Sequence, residues 1–291
     1  MHRVLPPEEA AFLAGIPLGE TGEFSKEFRE KLQAPGTSHL VALSGYNIAV
    51  VANAAFLFFG FCFGRRRAML ASAFAITSFV VMTGAEASVV RAAIMAGIVM
   101  LAESSRRIYS FRNAVVLAAL TMAIANPKVL RWDLGFQLSF AAILGIVYLK
   151  PAIAAFLRVN PKPGILGFRE NFMNTVSAEL SVFPLLLISF GSAPVIGTIV
   201  NLLVLAAIPA AMAIGFGIVA ASAVSLYLAV LFGWAAEAIL GYAITVIDFF
   251  SRFSPQVRIA EFGIFHAVIF YAAIAAFIVF MNRRNSPRAN G

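Results

Sequence analysis

Apolar residues run through this chain in long stretches separated by short polar connections, from Leu40 almost to the C-terminus. Stretches near 40–63, 68–83, 88–102, 112–126, 134–157, 174–190, 195–221, 225–250 and 263–281 each predict a helix. A helix needs about 20 apolar residues to cross the hydrocarbon layer, so the second, third and fourth are short for a full crossing. Short stretches that carry Gly, Ser and Arg point to a protein-lined or partly wet interior. The pattern therefore predicts an all-α, polytopic transmembrane helical bundle of about nine spans, with some short or broken helices.

The first 38 residues differ. Glu8, Glu9, Glu20, Glu23, Glu27 and Glu30 occur there among few basic residues. Phe24, Phe28 and Leu32 recur at i, i+4, i+8, which places one apolar stripe on a short helix. Glu27 and Lys31 are an i,i+4 pair on it, and Pro35-Gly36 ends it. Residues 1–38 are expected to be an amphipathic lead-in at the membrane surface, 39–282 the transmembrane domain and 283–291 a basic tail.

Composition sharpens the class. The chain is 61% hydrophobic and 12% charged, against roughly 45–50% and about 25% for soluble domains. A soluble fold of 291 residues could not bury the excess. The net charge is +8, and basic clusters occur at every second connection: Arg65-Arg66-Arg67, then Arg106, Arg107 and Arg112, then Arg158, Lys162 and Arg169, then Arg283, Arg284 and Arg288. The alternate connections are poor in charge or mixed, with Lys128, Arg131 and Asp133, and Arg252, Arg258 and Glu261. Basic loops stay cytoplasmic. This predicts a multi-pass protein of the cytoplasmic membrane with its N-terminus outside and its C-terminus inside. No signal for cleavage is expected, because the first long apolar run starts only at Leu40. The one cysteine, Cys62, reads as a packing residue. His2, His39 and His266 are far apart, and no Gly-rich phosphate loop precedes a Lys-Ser or Lys-Thr pair. The sequence speaks against an ATPase or metallonuclease, and no metal, cofactor or enzymatic role is expected.

Polar groups at membrane depth are costly, so each marks a pathway or an internal partner. The first cluster is His39, Ser44, Gly45 and Asn47, in which Ser44 and Asn47 share a helix face and Gly45 permits close approach. Interhelical hydrogen bonding would explain them without further function. The second is Thr83, Gly84, Glu86, Ser88 and Arg91. Gly84 suits a tight turn, and Ser88 and Arg91 lie one turn apart on the next helix. Arg91 either pairs with Glu86, Glu179 or Asp133, or presents its donor fork to phosphates. The third runs from Asn126-Pro127 to Asp133, Gly135, Gln137 and Ser139. Asp133 suits a helix N-cap. Further on, Glu179 sits between Ser177 and Ser181, Pro184 interrupts the same helix, Asn201 and Pro209 mark another polar and broken span, and Glu237 is central in its stretch.

These clusters, in order, resemble the competence domain of ComEC-type proteins, which carry DNA through the bacterial cytoplasmic membrane. The family's His-Leu-x-Ala-x-Ser-Gly-x-His-Ile stretch is matched by His39, Leu40, Ala42, Ser44, Gly45 and Ile48, with Asn47 where that pattern usually has His. Its Thr-Gly-x-x-x-Ser-x-x-Arg-Ala-x-x-Met stretch is matched by Thr83, Gly84, Ser88, Arg91, Ala92 and Met95. Its Asn-Pro and Asp-x-Gly-Phe-Gln-Leu-Ser-Phe stretch is matched through Ser139 and Phe140.

The resemblance implies a channel for single-stranded DNA during natural transformation, embedded in membrane lipid and served by a DNA receptor and a cytoplasmic motor. Arg91, Ser88, Ser44, Asn47, Gln137 and Ser139 are then pathway candidates, and His39, Gly45, Gly84, Asp133 and Gly135 structural ones. Full-length members often add an OB-like and a metallo-β-lactamase-like domain, which this chain does not carry. Two other classes compete. One is a small-solute or lipid-precursor permease with Glu179 and Glu237 as coupling groups. The other is an intramembrane serine hydrolase using Ser44 and His39, whose five-residue spacing sets them roughly 140° apart on a helix.

Overall fold

The computed structural model describes residues 5–18, 24–34, 37, 45–104, 108–158, 168–194, 196–205, 207–253, 256–259 and 261–285. In chain order these form α1 (Pro7–Leu18), α2 (Lys26–Gln33), α3 (Gly45–Cys62), α4 (Arg65–Met82), α5 (Ala87–Ser104), α6 (Phe111–Ala125) and the single turn α7 (Val129–Trp132). There follow α8 (Leu134–Phe156), α9 (Phe168–Phe190), strand β1 (Ser192–Pro194), α10 (Gly197–Leu205), α11 (Ile208–Val224), α12 (Leu226–Ser251), strand β2 (Gln256–Arg258) and α13 (Ile264–Asn285). The fold is all-α but for one short ribbon.

Among the described residues, four helices are long and apolar enough to cross a membrane: Leu134–Phe156, Arg169–Phe190, Leu226–Ser251 and Ile264–Arg284. α10 and α11 make a fifth if taken together, bent by 44°. Val50–Cys62, Ala87–Ala102 and Phe111–Ala125 are shorter apolar helices. Large apolar side chains such as Phe61, Phe74, Ile124, Trp234 and Phe265 are exposed, an arrangement that lipid tolerates and water does not.

The chain divides into two compact units. The first holds Met1–Phe136 and Leu203–Arg252. In it, α3, α4 and α5 pack on one another and α6 packs on α5. Ile48, Phe79 and Val89 form their buried core, flanked by Val51, Val80 and Ala92. The same unit contains α11 and α12, packed together, with α1 against both. Ala10, Ala11, Phe12, Leu13 and Ile16 of α1 are buried. Leu13 lies so close to α11 that a Cβ on Gly215 would come within 3.1 Å of it. α2 starts at Ser25, whose Oγ accepts from the Phe28 N–H at 3.1 Å. Its stripe of Phe28 and Leu32 is buried, and Phe28 meets Phe12 and Phe24 edge to face. Lys31 pairs with Glu27 at 2.9 Å and with Asp248 of α12 at 3.3 Å, which raises the pKa of Lys31, chiefly through the Glu27 hydrogen bond.

The second unit holds Gln137–Leu202 and Phe253–Gly291. Here α8, α9 and α13 pack together. Within α8, residues Gly145–Leu149 form a π-helical segment. Pro151 stands two residues on; it lacks an N–H, and in a regular α-helix its ring would clash with the carbonyl of Val147, which a wider turn avoids. One end of the unit is the antiparallel ribbon, with Ser192 opposite Arg258 and Pro194 opposite Gln256. At the other end, Lys150 binds Glu170 at 3.0 Å and Phe156 stacks edge to face on Phe277. This gathers the end of α8, the start of α9 and the last turns of α13, with Lys150, Arg158, Arg169, Arg283 and Arg284.

The sequence pattern treats 195–221 as one broken span marked by Pro209. In the structure a strand precedes it, α10 ends at Leu205 and α11 starts at Ile208, with Pro209 in its first turn. A proline in a first turn sacrifices no hydrogen bond, so a helix starts there readily.

Candidate functional site

Two polar sites stand out inside apolar helices, one in each unit. The first is built by α3 and α5. Thr83 ends α4 by donating to the carbonyls of Phe79, at 2.9 Å, and Val80, at 3.1 Å. Gly84 and Ala85 then turn the chain at φ +74° and +56°, in the left-handed region. That reversal brings α5 back against α3, and the Ile48–Phe79–Val89 core fixes its rotation. Arg91 is consequently buried, at 7% exposure. Its guanidinium lies over Gly45: a Cβ there would be 2.6 Å from Nη2. Gly45 thus makes room for Arg91, which the 46-residue separation does not reveal. Ser88 is half-buried one turn earlier on α5. His39, Ser44 and the Asn47 side chain lie outside the described residues.

Asp133 sits between α7 and α8, and its Oδ1 accepts from the Phe136 N–H at 2.8 Å, the geometry of an N-cap. Gly135 belongs to that cap, since a Cβ on it would stand 3.2 Å from the same oxygen. Glu86, in the turn before α5, has its pKa raised by partial burial and then by the negative charge of Asp133.

The second site lies in the second unit. Glu179 of α9 accepts from Thr198 Oγ1 and, at 2.9 Å, from Asn201 Nδ2, both on α10. Facing α8, Asn174, Ser177 and Ser181 follow at i, i+3 and i+7 and so share one stripe. Gly145 of α8 packs into that stripe: a Cβ on it would overlap Ser181 Oγ and the Ser177 carbonyl. Tyr271 of α13 donates to the Ser181 carbonyl at 2.9 Å, one turn before Pro184 weakens the helix ladder. Among the described residues, Ser139 Oγ, Asn174 Oδ1, Ser177 Oγ and Asn201 Oδ1 are buried without a hydrogen-bond partner.

A cavity of about 630 Å³ opens between α8, α9 and α13. Gln137, Ser181 and Tyr271 bring polar groups to an otherwise apolar lining. Gln137 and Ser139 are therefore separated in role, one lining the cavity and the other buried on a different face. The sequence pointed to Glu179, Ser177, Ser181 and Asn201 as polar residues, but not to Gly145, Asn174, Thr198 or Tyr271. The Ser177-x-x-x-Ser181 spacing is the signal that could have found the Gly145 contact. Glu237, central in α12, is exposed. No group of three or more His, Cys, Asp or Glu residues able to hold a metal ion occurs among the described residues.

A family model described as Competence protein matches residues 16–284. ComE operon protein 3 of Bacillus subtilis (strain 168) is 25% identical over 203 residues, which cover 69% of this chain and 25% of that protein. The match thus spans about a quarter of the relative's length. No solved structure matches.

Proposed function

This chain belongs to the competence protein family, and from that premise we propose that its membrane helices form a passive conduit for single-stranded DNA entering across the cytoplasmic membrane. The observation that carries the reading is the extent of the family match, which runs through the membrane helices themselves from residue 16 to 284. A polyanion crossing hydrocarbon needs a wet path with cationic or dipolar lining. Arg91 supplies a fixed donor fork suited to phosphate oxygens, and the second unit supplies buried hydroxyl and amide groups for water. In this reading all nine apolar stretches cross, with the N-terminus outside and the C-terminus cytoplasmic. A receptor delivers the strand outside, a cytoplasmic motor draws it in, and no bond of the DNA is cut by this chain.

The test is uptake of labelled DNA in a strain lacking this gene, with and without the chain restored, normalised to folded protein in the membrane. Restoration by the chain supports conduction. Unchanged uptake on deletion refutes it. The half-buried Glu179, held by Thr198 and Asn201, favours a second reading as a proton-coupled permease for a small solute. That reading requires proton-dependent accumulation of a small substrate with no change in DNA uptake.

A further inference from the structure

We infer that the groove between α8, α9 and α13 is a binding site for an anionic phospholipid, with one acyl chain in the groove and the phosphate at Arg283 and Arg284. The argument begins with depth. The groove follows α13 from Tyr271 to Val279. At 1.5 Å per residue these positions lie about 18 Å and about 6 Å along the axis from Arg283. It thus covers about 12 Å of α13, and on α8 it runs from Gln137 to Leu149, about 18 Å. One leaflet of hydrocarbon is about 15 Å thick, half of about 30 Å. The groove therefore has the length of one leaflet and begins one turn from the basic end of its helix.

The lining names the chemistry. Phe140, Leu144, Leu185, Ile274 and Ile278 make most of the wall, and a volume of about 630 Å³ is within the range of small-molecule sites. No Lys or Arg lines it. A phosphodiester strand laid there would lose its hydration without a cationic partner, whereas an alkyl chain loses nothing.

The open end has the opposite character. Arg283 stands four residues after Val279, on the same face of α13, and Arg284 is beside it. Both are exposed, and no described residue pairs with either. Lys150 of α8 is already engaged by Glu170. Two uncommitted guanidiniums above an apolar groove of leaflet length suit a negatively charged headgroup above its own acyl chain. The inference stands apart from DNA conduction, because its readout is lipid binding and needs no DNA.

The test uses the full chain, purified in a neutral detergent and depleted of lipid. Thermal unfolding is followed while phosphatidylglycerol or phosphatidylcholine is added, and retained lipid is counted by native mass spectrometry. The expected result is a saturable rise in Tm with phosphatidylglycerol, one lipid per chain, and at least tenfold weaker binding of phosphatidylcholine. The double variant Arg283→Gln/Arg284→Gln should remove that preference. Ala275→Trp and Leu144→Trp, which fill the groove from opposite walls, should each abolish the retained lipid. Equal binding of the two lipids, or full retention in a folded Trp variant, would overturn the site. So would stabilisation by a single-stranded oligonucleotide that the Trp variants lose, since the groove would then hold DNA.

Discussion

Replacing Gly145 by alanine tests the packing of the second unit more sharply than any other single atom. A Cβ at this position would overlap Ser181 Oγ and the Ser177 backbone carbonyl, and would stand 2.8 Å from Ser181 Cβ. A hydroxyl can rotate away, but a carbonyl on a packed helix cannot. α8 and α9 must therefore separate by several tenths of an ångström, and a gap of 0.5–1 Å forfeits roughly a quarter to a half of each dispersion contact along the seam. Overpacking of this kind costs about 1–3 kcal/mol. Against it stands the gain of about 0.8–1.0 kcal/mol when alanine replaces glycine in a helix. The clash wins by about 1–2 kcal/mol, because the backbone obstacle puts it in the upper part of its range. Gly97 of α5 is the matched control, since a Cβ there meets nothing within 4 Å. Gly97→Ala should stabilise by up to about 1 kcal/mol. The assay is equilibrium unfolding in mixed micelles titrated with SDS, monitored by circular dichroism. Adding Ser181→Ala to Gly145→Ala should recover only part of the loss, as the Ser177 carbonyl stays in place. Equal stabilisation by Gly145→Ala and Gly97→Ala would refute the close approach of α8 to α9.

Arg91→Ala should lose most DNA uptake per folded molecule, while Arg91→Lys, which keeps charge but not the fork, should keep a fraction; unchanged normalised uptake in Arg91→Ala would remove Arg91 from the pathway. Because the pKa of Glu86 is raised in the fold, its contribution is fully favourable below the unfolded carboxylate range and declines as pH rises through that range to the folded pKa. Glu86→Gln should therefore flatten the decline in Tm between pH 4 and 7, and a steeper decline would contradict the environment assigned to it. In a Cys62→Ala background, cysteines at Ser104 and Asn285 should react only from the cytoplasm and one at Ser192 only from outside; external labelling at 285 would reverse the topology. Purified protein should leave DNA intact with Mn²⁺ or Zn²⁺, and metal-dependent degradation that tracks with the chain through purification would show a nuclease.

Helix positions were legible because each apolar stretch ends at residues that stop a helix. Gly64 precedes α4, Thr83-Gly84 ends it, Asn126-Pro127 follows α6 and Ser225 separates α11 from α12. The ribbon was not legible. Its strands are three residues each, too short for an alternation to register, and its partners are 66 residues apart at Ser192 and Arg258. α1 was not among the predicted helices, although Phe12, Leu13 and Ile16 in it are buried, with α1 packed on α11 and α12. Asp133 was read correctly as a cap because capping is local, one side chain acting three residues ahead. The Gly45–Arg91, Gly145–Ser181 and Ser181–Tyr271 contacts are long-range, and one sequence carries no signal of which helix faces which.

The second unit's unsatisfied groups constrain what kind of interior it has. An amide or hydroxyl buried without a partner costs about 1–3 kcal/mol. Ser139, Asn174, Ser177 and Asn201 each place one such atom between helices long enough to cross a membrane or next to one. Hydrocarbon cannot satisfy them, while Glu179 is engaged by Thr198 and Asn201 and the Ser181 carbonyl by Tyr271. Water can reach such atoms without repacking the helices. A hydrated seam along α8 and α9 fits a protein whose helices must admit a charged or polar substrate, and fits poorly one whose helices only anchor it.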